Sequence, residues 1–68
     1  MPPKVRQLKA ALQRSGFSKE SGKGSHTVWR HPLIPGIAVT LSGNDGSDAE
    51  RYQIRDVRNA LRKVGEDL

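Results

Sequence analysis

Apolar residues recur along this chain in two rhythms. Val5, Leu8 and Leu12 stand at i, i+3 and i+7 with Ala11 beside them, while Arg6, Lys9 and Gln13 fall elsewhere on the wheel. That spacing predicts an amphipathic helix. Pro2 and Pro3 suit its first turn, where a missing N–H costs nothing. Ser15-Gly16 suits its end, because glycine accepts the left-handed conformation in which helices often stop. Ile54, Val57, Leu61 and Val64 repeat the rhythm and predict a second amphipathic helix ending near Gly65. Its start has two candidates: Ser47-x-x-Glu50 has the form of a capping box, and a start nearer Gln53 also fits. The tail Glu66-Asp67-Leu68 is expected to fray.

Between the helices the rhythm shortens. Phe17 to Ser21 reads as a short strand, and Ser25 to His31, rich in Thr, Val and Trp, as a second. The two glycines of Gly22-Lys23-Gly24 supply the backbone freedom a tight hairpin turn needs. Pro32 to Gly36 breaks the second strand. Ile37-Ala38-Val39-Thr40-Leu41 alternates large and small side chains, the mark of a half-buried strand, and Ser42 to Ser47 reads as a loop. The order helix, three strands, helix predicts a single α+β domain over residues 1–68. A three-stranded antiparallel sheet with both helices on one face accommodates it.

Alternation along a strand assigns directions. Ile37, Val39 and Leu41 are expected to face the helices, with Thr27, Trp29 and His31 on the same side. His26, Val28 and Arg30 are then expected on the face that the helices leave open.

Composition narrows the function. A chain of 68 residues buries only roughly 60% of its unfolded surface. That disfavours a deep pocket around a large cofactor, and no cofactor is expected. The net charge is +5, and it is uneven: residues 1–30 hold seven basic side chains against Glu20 alone, residues 31–68 five against six acids. A basic half of this kind favours nucleic acid or another polyanion. The absence of cysteine excludes disulfides, thiolate catalysis and Cys-type zinc sites. No apolar run approaches the roughly 20 residues that cross a bilayer, and no signal-peptide pattern opens the chain. No membrane association and a cytoplasmic location are expected.

The chemistry concentrates in Gly22-Lys23-Gly24-Ser25-His26. A glycine-rich turn can aim backbone N–H groups at a phosphate, and Lys23 and Arg30 can offset its charge. An imidazole works as general base or acid at cellular pH. RNA is the substrate for which this needs no metal, because its 2′-hydroxyl is an internal nucleophile beside the scissile phosphate. His26 is the candidate catalytic residue. Lys23, Gly24, Ser25 and Arg30 are assigned to RNA phosphate, and Lys19, with Lys4 and Lys9, extends the basic track. His31 is better read as a hydrogen-bonded strand-end histidine, and Trp29 as core. Asn44, Asp45, Asp48 and Glu50 fail the calcium-loop spacing, so no metal is expected. Arg51, Arg55, Arg58 and Arg62 read first as a solvated helix face partly paired with Asp48 and Asp56, and only second as an RNA or partner contact.

Gly22-Lys23-Gly24-Ser25-His26 with Trp29 three residues on resembles the HicA toxin family. That family's recurring G-K-G-S-H-x-x-aromatic run matches Gly24, Ser25, His26 and Trp29. The likeness extends over Gly16-Phe17, His31-Pro32, Val39-Thr40-Leu41, and Val57-Arg58 and Leu61 to Gly65. The resemblance implies a fold like the double-stranded-RNA-binding domain, a toxin that cleaves mRNA, and His26 as its histidine. It also implies neutralisation by a HicB antitoxin that covers this residue. Two alternatives use the same residues: a non-catalytic RNA-binding module in which His26 only contacts the strand, and a small partner-binding domain using the open sheet face.

Overall fold

A computed structural model of the chain describes residues 1–20 and 22–68. The elements run α1 (Val5–Arg14), β1 (Ser18–Glu20), β2 (Thr27–Arg30), β3 (Val39–Leu41) and α2 (Arg51–Lys63). The strands form one antiparallel sheet in the order β1-β2-β3. This is the expected α+β order of helix, three-stranded sheet and helix.

Trp29 lies opposite Lys19 on one side and Val39 on the other. Side chains opposite one another share a face. Trp29, Val39 and Leu41 pack with Leu8 and Leu12 of α1 and Val57 and Leu61 of α2 in one cluster. Both helices therefore cover this face. On the other face Glu20, Arg30 and Thr40 are exposed around a half-buried Val28. The Trp29 indole N–H donates to Thr27 Oγ1 at 3.0 Å, so burial leaves no polar atom unpaired there.

The helices begin and end alike. At each start a glutamine three residues into the helix reaches back to the capping N–H: Gln7 Oε1 accepts from Lys4 N at 2.6 Å, and Gln53 Oε1 from Glu50 N at 2.9 Å. At each end a glycine with positive φ lets two N–H groups fold back on the last turn. Gly16 N donates to the Gln13 carbonyl and Phe17 N to that of Leu12, and Gly65 N and Glu66 N repeat this on Arg62 and Leu61.

Several boundaries differ from the sequence expectation. The prolines precede α1 rather than forming its first turn. Pro3 instead offers its carbonyl to Ala49 N at 2.8 Å, and the first helical N–H groups, of Val5 and Arg6, donate to Ser47 and Asp45 carbonyls. The cap of α2 is Glu50 with Gln53, not Ser47 with Glu50. Phe17 stays out of β1 because its N–H closes α1. Ser21, the last residue of that expected strand, lies outside the described residues. Two successive turns, Ile34 N to His31 O and Ile37 N to Ile34 O, hold the chain between β2 and β3. They keep Ile37 half-buried but outside β3.

Candidate functional site

The hairpin joining β1 to β2 is centred on Gly24. The paired residues Ser18 and Arg30, Lys19 and Trp29, and Glu20 and Val28 are each symmetric about it. Gly24 has φ +61°, and His26 N donates to the Lys23 carbonyl at 3.1 Å. A Cβ at Gly22 would overlap the His26 carbonyl oxygen, so this close approach requires glycine. The glycine pattern thus shapes the loop that presents His26. It also fixes one donor: the His26 N–H serves the turn and is not available to a phosphate.

His26 is exposed, as are Gly22, Lys23, Gly24 and Ser25. It stands at the mouth of β2 and not within it, because the ladder starts at Thr27. Ser25 does more than face solvent. Its Oγ accepts from Gly43 N at 3.4 Å and ties the hairpin to the loop before α2. Gln53 holds that loop from the other side, donating from Nε2 to the Ser42 carbonyl at 2.9 Å.

The cations assigned to phosphate are not all brought together. Lys23 shares the turn with His26. Arg30 is four residues further along, about 13 Å at the rise of a strand. Its side chain reaches back to Glu20, whose carboxylate oxygens lie 3.3 Å from Nε. Glu20 is opposite Val28, so the guanidinium is drawn part of the way toward His26. An exposed pair of this kind is weak, about 0–1 kcal/mol, and a phosphate can compete for it. Glu20 was not singled out from the sequence. Symmetry about Gly24 was the available signal, since it sets Glu20 diagonal to Arg30.

Lys19 pairs across from Trp29, on the face toward the helices. It lines a shallow depression with Lys9, Gln13 and Asp45, apart from Arg30. Lys9 donates to Asp45 at 2.7 Å and Lys4 to Asp48 at 2.6 Å. The basic track expected from the first half is therefore interrupted by acids of the second. The Lys9 hydrogen bond and charge hold the Asp45 carboxyl below its ordinary value. Asp48 pairs with Lys4 rather than with an arginine of α2, whereas Asp56 pairs with Arg55 as expected.

His31 is half-buried and fully engaged. Nδ1 accepts from Leu33 N at 3.1 Å, and Nε2, carrying the proton, donates to the Ser15 carbonyl at 3.0 Å. Its ring meets Phe17 edge-on, with centroids 4.9 Å apart. The two histidines thus separate cleanly: His31 closes a corner of the core, and the His26 side chain is exposed in the loop with no hydrogen-bond partner among the described residues. Among the described residues no group of three His, Asp or Glu side chains is placed to hold a metal ion. No helix is long and apolar enough to cross a membrane among the described residues.

Comparison with protein families gives a match over residues 5–65 to the model described as the HicA toxin of bacterial toxin–antitoxin systems. The match takes in both helices, the sheet and the His26 hairpin. Comparisons with curated proteins and with solved structures gave no significant match.

Proposed function

The chain belongs to the HicA toxin family of bacterial toxin–antitoxin systems, and from that premise we propose that it is an endoribonuclease that cleaves mRNA through His26. The observation that carries this reading is the exposed His26 on a glycine-shaped turn beside Lys23, in contrast to the occupied His31.

The chemistry is proton transfer around a phosphodiester. His26 takes the proton of the 2′-hydroxyl as that oxygen attacks the adjacent phosphorus. The bond from phosphorus to the 5′ oxygen breaks, that oxygen takes a proton from solvent while His26 returns its own to solvent, and the products are a 2′,3′-cyclic phosphate and a 5′-hydroxyl. Lys23 offsets the charge that builds on the non-bridging oxygens. Ser25, held by Gly43, keeps the turn in place, and Arg30 contributes once phosphate displaces Glu20. Lys19 contacts the strand further away. The internal nucleophile lets the reaction proceed without a metal.

As a toxin of a two-component system the protein has an antitoxin partner. We assign that role to a HicB-like protein that covers His26 and the open sheet face. The sandwich of one sheet under two helices is shared in outline with double-stranded-RNA-binding domains, which fits an RNA substrate by analogy only. The test is incubation of purified protein with single-stranded RNA in excess chelator, beside His26→Ala. Cleavage lost in the variant supports the reading, and cleavage retained removes His26 from its role.

A further inference from the structure

Arg51, Arg55, Arg58 and Arg62 stand on α2 at steps of four, three and four residues. At 100° per residue these steps keep all four within about 60° around the axis, and the run is about 16 Å long. All four are exposed. The opposite side of the helix, Gln53, Val57, Ala60 and Leu61, is buried, so the arginines point away from the sheet. Arg55 meets Asp56 at 3.2 Å and Arg62 lies 3.9 Å from Asp67. Arg51 and Arg58 make no ion pair among the described residues.

We propose that this arginine ladder is a second RNA-contact surface that grips the sugar–phosphate backbone of the strand whose cleavage site is at the hairpin. Only the identity of the polyanion rests on the ribonuclease reading. Guanidinium groups are planar forks matched to phosphate oxygens, and they remain charged at any working pH. Protein interfaces are built around an apolar centre. Here the exposed neighbours are Tyr52, Asp56, Asn59 and Lys63; the one acid among them is held by Arg55, and Tyr52 offers a ring on which a base can stack. A backbone partner fits this surface better than an acidic protein does.

Position supports the assignment. Arg51 opens α2 immediately after Glu50. Gln53 in the same turn bonds the Ser42 carbonyl, and adjacent Gly43 bonds Ser25 of the hairpin. The ladder therefore starts at the end of the molecule that carries His26.

The test measures binding of a fluorescently labelled 2′-O-methyl RNA strand, which has no free 2′-hydroxyl, so binding is read without cleavage. Wild type is compared with Arg58→Gln/Arg62→Gln, at the end of the ladder away from the hairpin, and with Arg6→Gln/Arg14→Gln on α1, which removes the same charge elsewhere. The ladder variant is expected to bind about tenfold more weakly, with the slope of log affinity against log salt reduced by about 1.4 for two lost phosphates. The α1 variant is expected to stay close to wild type. Equal losses in both variants, or none in the ladder variant, overturn the proposal. Ladder-dependent binding of poly-glutamate with no ladder-dependent binding of RNA assigns the face to an acidic protein and also overturns it. The ribonuclease reading fails separately: a wild type that does not cleave unmodified RNA, yet shows ladder-dependent binding, refutes cleavage and leaves the ladder standing.

Discussion

Gly22 and His26 close the hairpin on each other, and the approach leaves no space for a Cβ between Gly22 and the His26 carbonyl oxygen. Gly22→Ala must move that carbonyl and the imidazole it carries. The expected cost is about 1–3 kcal/mol of stability, as for other overpacked sites. Displacement of a catalytic group by about 1 Å can cost on the order of a hundredfold in rate. Cleavage assayed well below the variant's melting temperature should therefore fall much further than the folded fraction does. Activity that falls only in step with folding would mean the turn does not position the histidine.

His31 answers the opposite expectation. It bonds Ser15 and Leu33 and packs on Phe17. Gly16 allows this corner, since a Cβ there would come within 3.0 Å of His31 Nε2 and φ is +94°. His31→Ala should lose about 1–3 kcal/mol through groups left unpaired. Thermal melts should record that loss while cleavage per folded molecule stays at the wild-type rate. A selective loss of cleavage would give His31 a role in the chemistry.

The periodic elements could be read from the chain because burial enforces them. Leu8 and Leu12, Trp29, Val39, and Val57 and Leu61 are each in the core as their spacing requires. Element ends were harder, because hydrogen bonds between segments distant in sequence decide them. Pro3 pairs with Ala49, and Val5 with Ser47, contacts that no local pattern encodes. The site divided in the same way. His26 and the glycine turn are local and were visible. The Glu20 partner of Arg30 and the acid partners of Lys4 and Lys9 depend on pairing between elements.

Gln53 caps α2 with one end of its buried amide and holds Ser42, just past β3, with the other. Gln53→Ala leaves the Glu50 N–H and the Ser42 carbonyl without this partner, each at about 1–3 kcal/mol. Gln53→Glu restores the acceptor but not the donor. Denaturant titration should order the three proteins as wild type, then Gln53→Glu, then Gln53→Ala. A Glu variant no better than alanine would show that a carboxylate buried against the Ser42 carbonyl costs as much as the cap contributes.

Asp45 gives the fold a dependence on acid. Lys9 lowers its carboxyl below the ordinary 3.8, so the folded state binds a proton less readily than the unfolded chain. The resulting stability is present above that ordinary value and is lost as pH falls through the lowered one. Asp45→Asn should melt below wild type at neutral pH, and the gap should close on acidification. A gap that is constant with pH would place the effect elsewhere.

The central claim is that His26 moves a proton during RNA cleavage. Single-turnover cleavage of a single-stranded RNA in excess chelator, comparing wild type with His26→Ala, tests it most directly. Wild type should yield 2′,3′-cyclic phosphate ends, and the variant should cleave at least a hundredfold more slowly, the lower range for loss of a general acid or base, while melting like wild type. Cleavage by a folded His26→Ala protein at a rate near wild type would contradict the claim.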